Sequence, residues 1–268
     1  MKSSLAYTTD LWFAQYEGEV SNRGRYSVIL TPSNPGYWWG NFILFENAPQ
    51  EGDAPIWLEM FEREVGKPPK VKHIALGWKA QEEGFVQAFL DKGLRFDKSI
   101  VLTAQTVNKP PKVNKEAIFR LLETEDDWRQ VLELQVLCRE ESFVEAPYRL
   151  FRERALKRYQ NMIADGMGNW FGAFLNGKLV ADLGLFYKGT IGRFQHIETH
   201  PEYRRRGLCG TLVHWAASYG FKHYGVKTLV MVADPEYHAA RIYESVGFKP
   251  TEYQYGLERP SKDAYEAG

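Results

Sequence analysis

The stretch His200-Pro-Glu-Tyr-Arg-Arg-Arg-Gly-Leu-Cys-Gly-Thr-Leu-Val213 decides how this chain is read. It follows a strand-like run, Ile191–Thr199, and opens a helical pattern after Arg206. A glycine-bearing loop between strand and helix can turn its backbone N–H groups into one concavity, with the positive end of the helix dipole behind it. That concavity suits a pyrophosphate, and Arg204, Arg205 and Arg206 add charge for phosphates. Thr211, in the first helical turn, offers a hydroxyl donor. A bare triple-Arg run is ordinarily solvated surface, but the glycines and the strand–helix frame reverse that reading.

The pattern extends outward in both directions. Upstream, Trp170–Leu175, the Asn176-Gly177 turn and Leu179–Tyr187 read as a hairpin, and Lys188-Gly189 turns into the strand Ile191–Thr199. Pro147 suits the first turn of a helix that places Tyr148, Phe151, Ala155, Tyr159 and Met162 on one face. Earlier still, Ala117–Leu122 reads as a strand, and Asp126 or Asp127 as the cap of a helix running from Trp128 towards Glu140. Downstream come a buried strand Thr228–Val232, a short helix Ala239–Val246 and a last strand near Tyr253–Leu257.

This order over residues 115–258 resembles the GNAT superfamily of N-acetyltransferases. The Arg204–Gly210 segment is similar to the superfamily's acyl-CoA loop, Arg/Gln-x-x-Gly-x-Gly/Ala, with Cys209 at the Gly/Ala position. Ala239-Ala-Arg-Ile-Tyr-Glu-Ser-Val-Gly-Phe248 resembles the second signature, Ala-x-x-x-Tyr-Glu-x-x-Gly-Phe. The resemblance implies an α+β GNAT fold, a mixed and mostly antiparallel sheet flanked by helices. It implies acetyl-CoA as acyl donor, held by Arg204, Arg205, Arg206, Gly207, Leu208, Cys209, Gly210 and Thr211. By position, Ile197, Glu198 and Thr199 supply backbone groups to the pantetheine arm and the acetyl carbonyl. Tyr243 takes the role of proton donor to the departing thiolate. Glu236 stands where the family often has Asn.

The general base is left unassigned by the residues alone. Strand alternation puts Arg193, Gln195 and Ile197 on one face and His196 and Glu198 on the other, unless a bulge shifts the register. With simple alternation, the side chains able to act as bases face away from the amine. His196 and His200 share a strand parity, but nothing completes a tetrahedral set, so no metal is expected. Cys138 and Cys209 do not read as acyl-enzyme nucleophiles.

The first half is rich in aromatics, with five of the eight Trp before residue 80. Tyr26–Leu30, Tyr37–Phe45, Val71–Trp78 and Ser99–Ala104 read as strands. Trp57, Met60, Phe61 and Val65 form one helical stripe, and Phe85, Val86, Phe89 and Leu90 another. Phe89-Leu-Asp-Lys-Gly-Leu94 faintly echoes the Tyr-Glu-x-x-Gly-Phe signature. Two readings stay open for this half: a degenerate GNAT-like unit, or a cap walling the acceptor pocket. The linker Asn108-Lys-Pro-Pro-Lys-Val-Asn114 sets the boundary, giving residues 1–112 and 115–268 as domains.

Thirty-four basic residues balance thirty-four acidic ones, so no global field draws in nucleic acid or anionic lipid. Two cysteines, and no basic start followed by an apolar run, make a cytoplasmic enzyme the expectation, with neither nucleic acid nor membrane as partner. The expected partner is a small-molecule or peptide amine, with a homodimer left open. The resemblance implies an acetyl-CoA-dependent N-acetyltransferase with an unidentified acceptor. An acyl-CoA-binding sensor without turnover is the rival from another class.

Overall fold

The computed structural model describes residues 4–68, 70–236 and 239–261. It divides the chain into two compact α+β units. The first takes residues 1–100, 142–147 and 252–268; the second takes 101–141 and 148–251. These limits differ from the sequence boundary of 112/115. The C-terminal strand causes part of the difference: over Tyr255–Arg259 it pairs antiparallel with Trp78–Ile74 and so belongs with the first unit.

In the first unit, α1 (Leu5–Glu17) precedes β1 (Glu19–Asn22), β2 (Tyr26–Leu30), β3 (Phe42–Phe45), α2 (Asp53–Glu64), β4 (Ile74–Trp78) and α3 (Gln87–Leu90). The strand β5 (Arg95–Ala104) starts here and carries the chain into the second unit. The last strand among the described residues is β11 (Lys249–Arg259). The order across this unit is β1-β2-β3-β4-β11, with β3 and β4 parallel and the others antiparallel. Its core is aromatic, as the composition suggested. Trp57 stacks on Phe45 with ring centroids 3.6 Å apart, and Trp78 stacks on both Phe96 and Tyr255. Two readings needed correction. Tyr37–Phe45 is not one strand, because Trp38–Gly40 forms a 3-10 turn before β3. The helix α1 was missed: its buried Ala6, Tyr7, Trp12, Phe13 and Ala14 are interleaved with too many apolar residues to show a clean stripe.

The second unit holds β6 (Ile118–Leu121), α4 (Glu125–Leu137), α5 (Glu145–Ala164, from Tyr148 on), β7 (Gly168–Leu175), β8 (Lys178–Lys188), β9 (Ile191–Thr199), α6 (Leu208–Tyr219), β10 (Thr228–Ala233) and α7 (Ala239–Ser245). The strand order is β10-β9-β8-β7-β6; β9 and β10 run parallel and the other neighbours antiparallel. The turn between β7 and β8 needs two left-handed residues, which Asn176 (φ 50°) and Gly177 (φ 80°) supply. The helix α4 is capped by Thr124 rather than by Asp126 or Asp127. Thr124 Oγ1 accepts from the Asp127 N–H, and the Asp127 carboxylate accepts from the Thr124 N–H, a reciprocal capping box. Asp127 also pairs with Arg120 at 2.6 Å, which holds its carboxyl far below the usual range.

Candidate active site

The parallel ladder between β9 and β10 runs from Ile191–Thr228 to Arg193–Val230. Beyond that point, residues from both strands line one cavity of about 930 Å³: Phe194 and His196–Thr199 from β9, and Met231–Ala233 from β10. Its wall is completed by Arg204, Arg205 and Gly207–Gly210, by Arg241–Tyr243 and Ser245, by Pro110–Lys112, and by Cys138 and Glu140. All of these residues belong to the second unit.

The loop into α6 joins the end of β9 to the helix, as the sequence pattern places it. Arg205 and Gly207 both adopt left-handed torsions, φ 62° and 76°, and Gly207 is the residue preceding the helix. Leu208, Cys209 and Gly210 open the helix, where no carbonyl lies a turn ahead to receive their N–H groups. Two expected ligands sit elsewhere. Arg206 does not line the cavity; its guanidinium lies 5.3 Å above the Tyr203 ring. Thr211 also turns away: its hydroxyl donates to Gly207 O at 2.7 Å and accepts from Asn114 N at 2.9 Å. The remaining arginines, with the N–H groups at the helix start, are donors suited to a pyrophosphate.

The strand β9 carries the decisive irregularity. Glu198 aligns with Asp182 and Gln195 with Gly184, so two residues of β9, His196 and Ile197, face one residue of β8. His196 takes φ 48°, a conformation that costs a non-glycine residue about 1–3 kcal/mol. This bulge overrides the simple alternation, and His196, Ile197, Glu198 and Thr199 all line the cavity. Both residues expected to face away, His196 and Glu198, therefore stand at the cavity wall.

Burial pushes the Glu198 carboxyl up to about 7, against a hydrogen bond with Cys138 and the charges of Arg152 and Arg204. Burial and the Arg152 charge hold His196 well below its ordinary value, so the imidazole is neutral near pH 7. Its contact with Glu198, 3.6 Å from Nε2 to Oε1, is accordingly not an ion pair at that pH. Burial raises the thiols of Cys138 and Cys209 to about 12, which leaves both protonated. Tyr243, on α7, is buried at the cavity wall.

Behind Glu198 runs a buried polar chain that the sequence did not disclose. Trp170 Nε1 and Gln135 Nε2 donate to Asp182 Oδ1 at 2.8 and 3.0 Å. Gln135 Oε1 in turn accepts from Nε and Nη2 of buried Arg152. Burial raises the Asp182 carboxyl to about 8, so it is largely protonated at neutral pH. Among the described residues, no group of His, Cys, Asp and Glu could hold a metal ion, and no helix is long and apolar enough to cross a membrane.

Comparison with known proteins agrees with this geometry. No curated protein matches the chain. In solved structures, the fold is similar to a GCN5-related N-acetyltransferase from Kribbella flavida (TM-score 0.67, 14% identity, 96% of each chain covered). It is also similar to a functionally unknown conserved protein from Staphylococcus epidermidis (0.68, 12%, covering 92% of this chain and 95% of that one). A tandem GNAT protein from the clavulanic acid biosynthesis pathway aligns at 0.55 and 12% identity, over 83% of this chain and 80% of its own. At such identities these likenesses establish the fold. Residues 128–248 match the model of the acetyltransferase (GNAT) family, a family that suggests acyl-CoA-dependent N-acyl transfer. This match spans both signature motifs and the bulged strand between β8 and the loop, so it is this segment of the second unit that is similar to the GNAT family.

Proposed function

We propose that the second unit transfers an acetyl group from acetyl-CoA directly to an amine, with Glu198 as general base and Tyr243 as general acid. One observation carries the reading: Glu198, Tyr243, Arg204, Arg205 and Gly207–Gly210 line the same cavity. The residues present fit the coenzyme. Left-handed Arg205 and Gly207 shape the loop as an anion cradle, and the separated ends of β9 and β10 leave room for an extended arm.

When bound, acetyl-CoA supplies an activated acyl carbon with a thiol leaving group. Arg204, Arg205 and the N–H groups at the start of α6 would hold its phosphates. A carboxyl with a pKa of about 7 is matched to taking a proton from an amine near neutral pH. The Glu198 carboxylate accepts the proton that the amine nitrogen loses as its bond to the acyl carbon forms. The Tyr243 hydroxyl gives its proton to the sulfur as the C–S bond breaks. The backbone of Ile197–Thr199 would orient the acyl carbonyl. Direct transfer is favoured over a cysteine relay because both cavity thiols are held protonated. The sensor reading drew its force from the lack of a base, and Glu198 removes that ground.

The first unit is read as a GNAT-like unit without a coenzyme loop of its own, so one coenzyme per chain is expected by calorimetry. A panel of amines, followed by release of CoA thiol, tests the activity. Binding of acetyl-CoA with no turnover on any amine would return the chain to the sensor reading.

A further inference from the structure

We propose that Lys112 and Asn114, which lie outside both signature motifs, are positioning residues that hold the coenzyme loop in its binding shape. This rests on the coenzyme reading of the loop given above.

Three successive loop carbonyls are tied down. Lys112 Nζ donates to Arg205 O at 2.6 Å, and Asn114 Nδ2 donates to Arg206 O at 3.0 Å. Gly207 O accepts from Thr211 Oγ1 at 2.7 Å, and that hydroxyl is itself fixed by the Asn114 N–H at 2.9 Å. In a planar trans peptide the N–H points opposite to the carbonyl. Anchoring the carbonyls of Arg205, Arg206 and Gly207 therefore turns the N–H groups of Arg206, Gly207 and Leu208 away from the anchors. A nest of successive N–H groups is the element that binds an anion.

The anchor is itself rigid. Asn114 is buried, and its Oδ1 accepts from the N–H groups of Glu116 and Ala117, which fixes the amide so that Nδ2 meets Arg206 O. At the other end of the segment, Asn108 N donates to Val246 O at 2.8 Å, three residues beyond Tyr243. Pro110 and Pro111 stiffen the span between these ends and line the cavity with Lys112. One segment thus ties the phosphate loop to the end of the helix that carries the acid. Arg205 needs such a hold, since a non-glycine residue in the left-handed region is strained unless its surroundings impose the shape.

The test uses the full chain and CoA as the probe. Lys112→Met removes an exposed donor, and Lys112→Arg restores one. Asn114→Asp keeps the Oδ1 acceptor but replaces the Nδ2 donor. By calorimetry, Lys112→Met and Asn114→Asp should each weaken CoA binding about tenfold, with Lys112→Arg closer to wild type. KM for acetyl-CoA should rise in step, with kcat changing far less. Amide hydrogen exchange across residues 205–208 should be faster in the unliganded variants. If Asn114→Asp fails to fold, Lys112→Met carries the test alone. Unchanged affinity overturns the proposal, and so does weakened affinity with unchanged exchange, which would mark direct phosphate contact. A wild-type chain that does not bind CoA at all would instead overturn the functional reading on which this rests.

Discussion

Asp182 and Glu198 are cross-strand partners on β8 and β9, two carboxyls opposed at the edge of the bulge. Both are raised above their ordinary values, chiefly by burial, and the Glu198 charge adds to the rise at Asp182. Like charges facing each other across a ladder are unfavourable, so the fold favours at least one proton on the pair.

The first consequence is a pH profile. On the proposed mechanism Glu198 takes a proton only once deprotonated, so kcat/KM should climb with pH through about 7 and level off above it. Glu198→Gln should lose on the order of 100-fold in kcat and erase that limb. A variant that keeps the wild-type limb would place the titration elsewhere.

Tyr243→Phe should lower kcat by about 100-fold in an assay limited by chemistry, while the Kd for CoA stays within about twofold. The substitution keeps the buried ring and removes only the hydroxyl. Equal turnover would leave Tyr243 as packing alone.

Gly207 is constrained twice: its φ is 76°, and a β-carbon there would lie 2.4 Å from Lys112 O. Gly207→Ala should already weaken CoA, since the backbone term alone is about 1–2 kcal/mol. Gly207→Glu adds a negative charge at the loop. Wild type at 100 times the Kd of CoA should gain about 2.7 kcal/mol of stability, and Gly207→Glu should gain none in a thermal-shift measurement.

Asp182→Asn tests the neutral state directly. Between the ordinary value of 3.8 and about 8, the folded chain holds a proton on Asp182 that the unfolded chain has lost. Stability from this group is therefore full below that window and falls as pH rises through it. Asparagine stays neutral throughout, and its oxygen can still accept from Trp170 and Gln135. The variant should show a flatter dependence of Tm on pH between about 4 and 8, measured against wild type in matched buffers. An identical slope would show that Asp182 does not titrate there.

The motifs were legible because local chemistry dictates them. The Arg204–Gly210 loop, the Asn176-Gly177 turn and the short helix bearing Tyr243 each rest on residues adjacent in sequence. The orientation of Glu198 was not legible, because a bulge depends on pairing with β8 and leaves no residue signature at His196. The chain Trp170–Asp182–Gln135–Arg152 is assembled from four elements, and periodicity alone does not set Gln135 and Arg152 apart from other polar helix positions. The hydrogen bonds of Lys112 and Asn114 to the loop were hidden for another reason. Two prolines made their segment read as a connector, and its contacts with the loop lie more than 90 residues away.

The strand β11 supplies the partner of β4, yet β4 ends at Trp78 and the paired stretch begins only at Tyr255. During synthesis from the N-terminus, the whole of the second unit emerges before that stretch does. At 5–20 residues per second, β4 waits about 10–35 seconds with one edge unpaired. Such an edge is a template for foreign strands. Nascent chains of this protein therefore pass through an interval of self-association risk that no property of the finished molecule reveals, and slower translation would lengthen it.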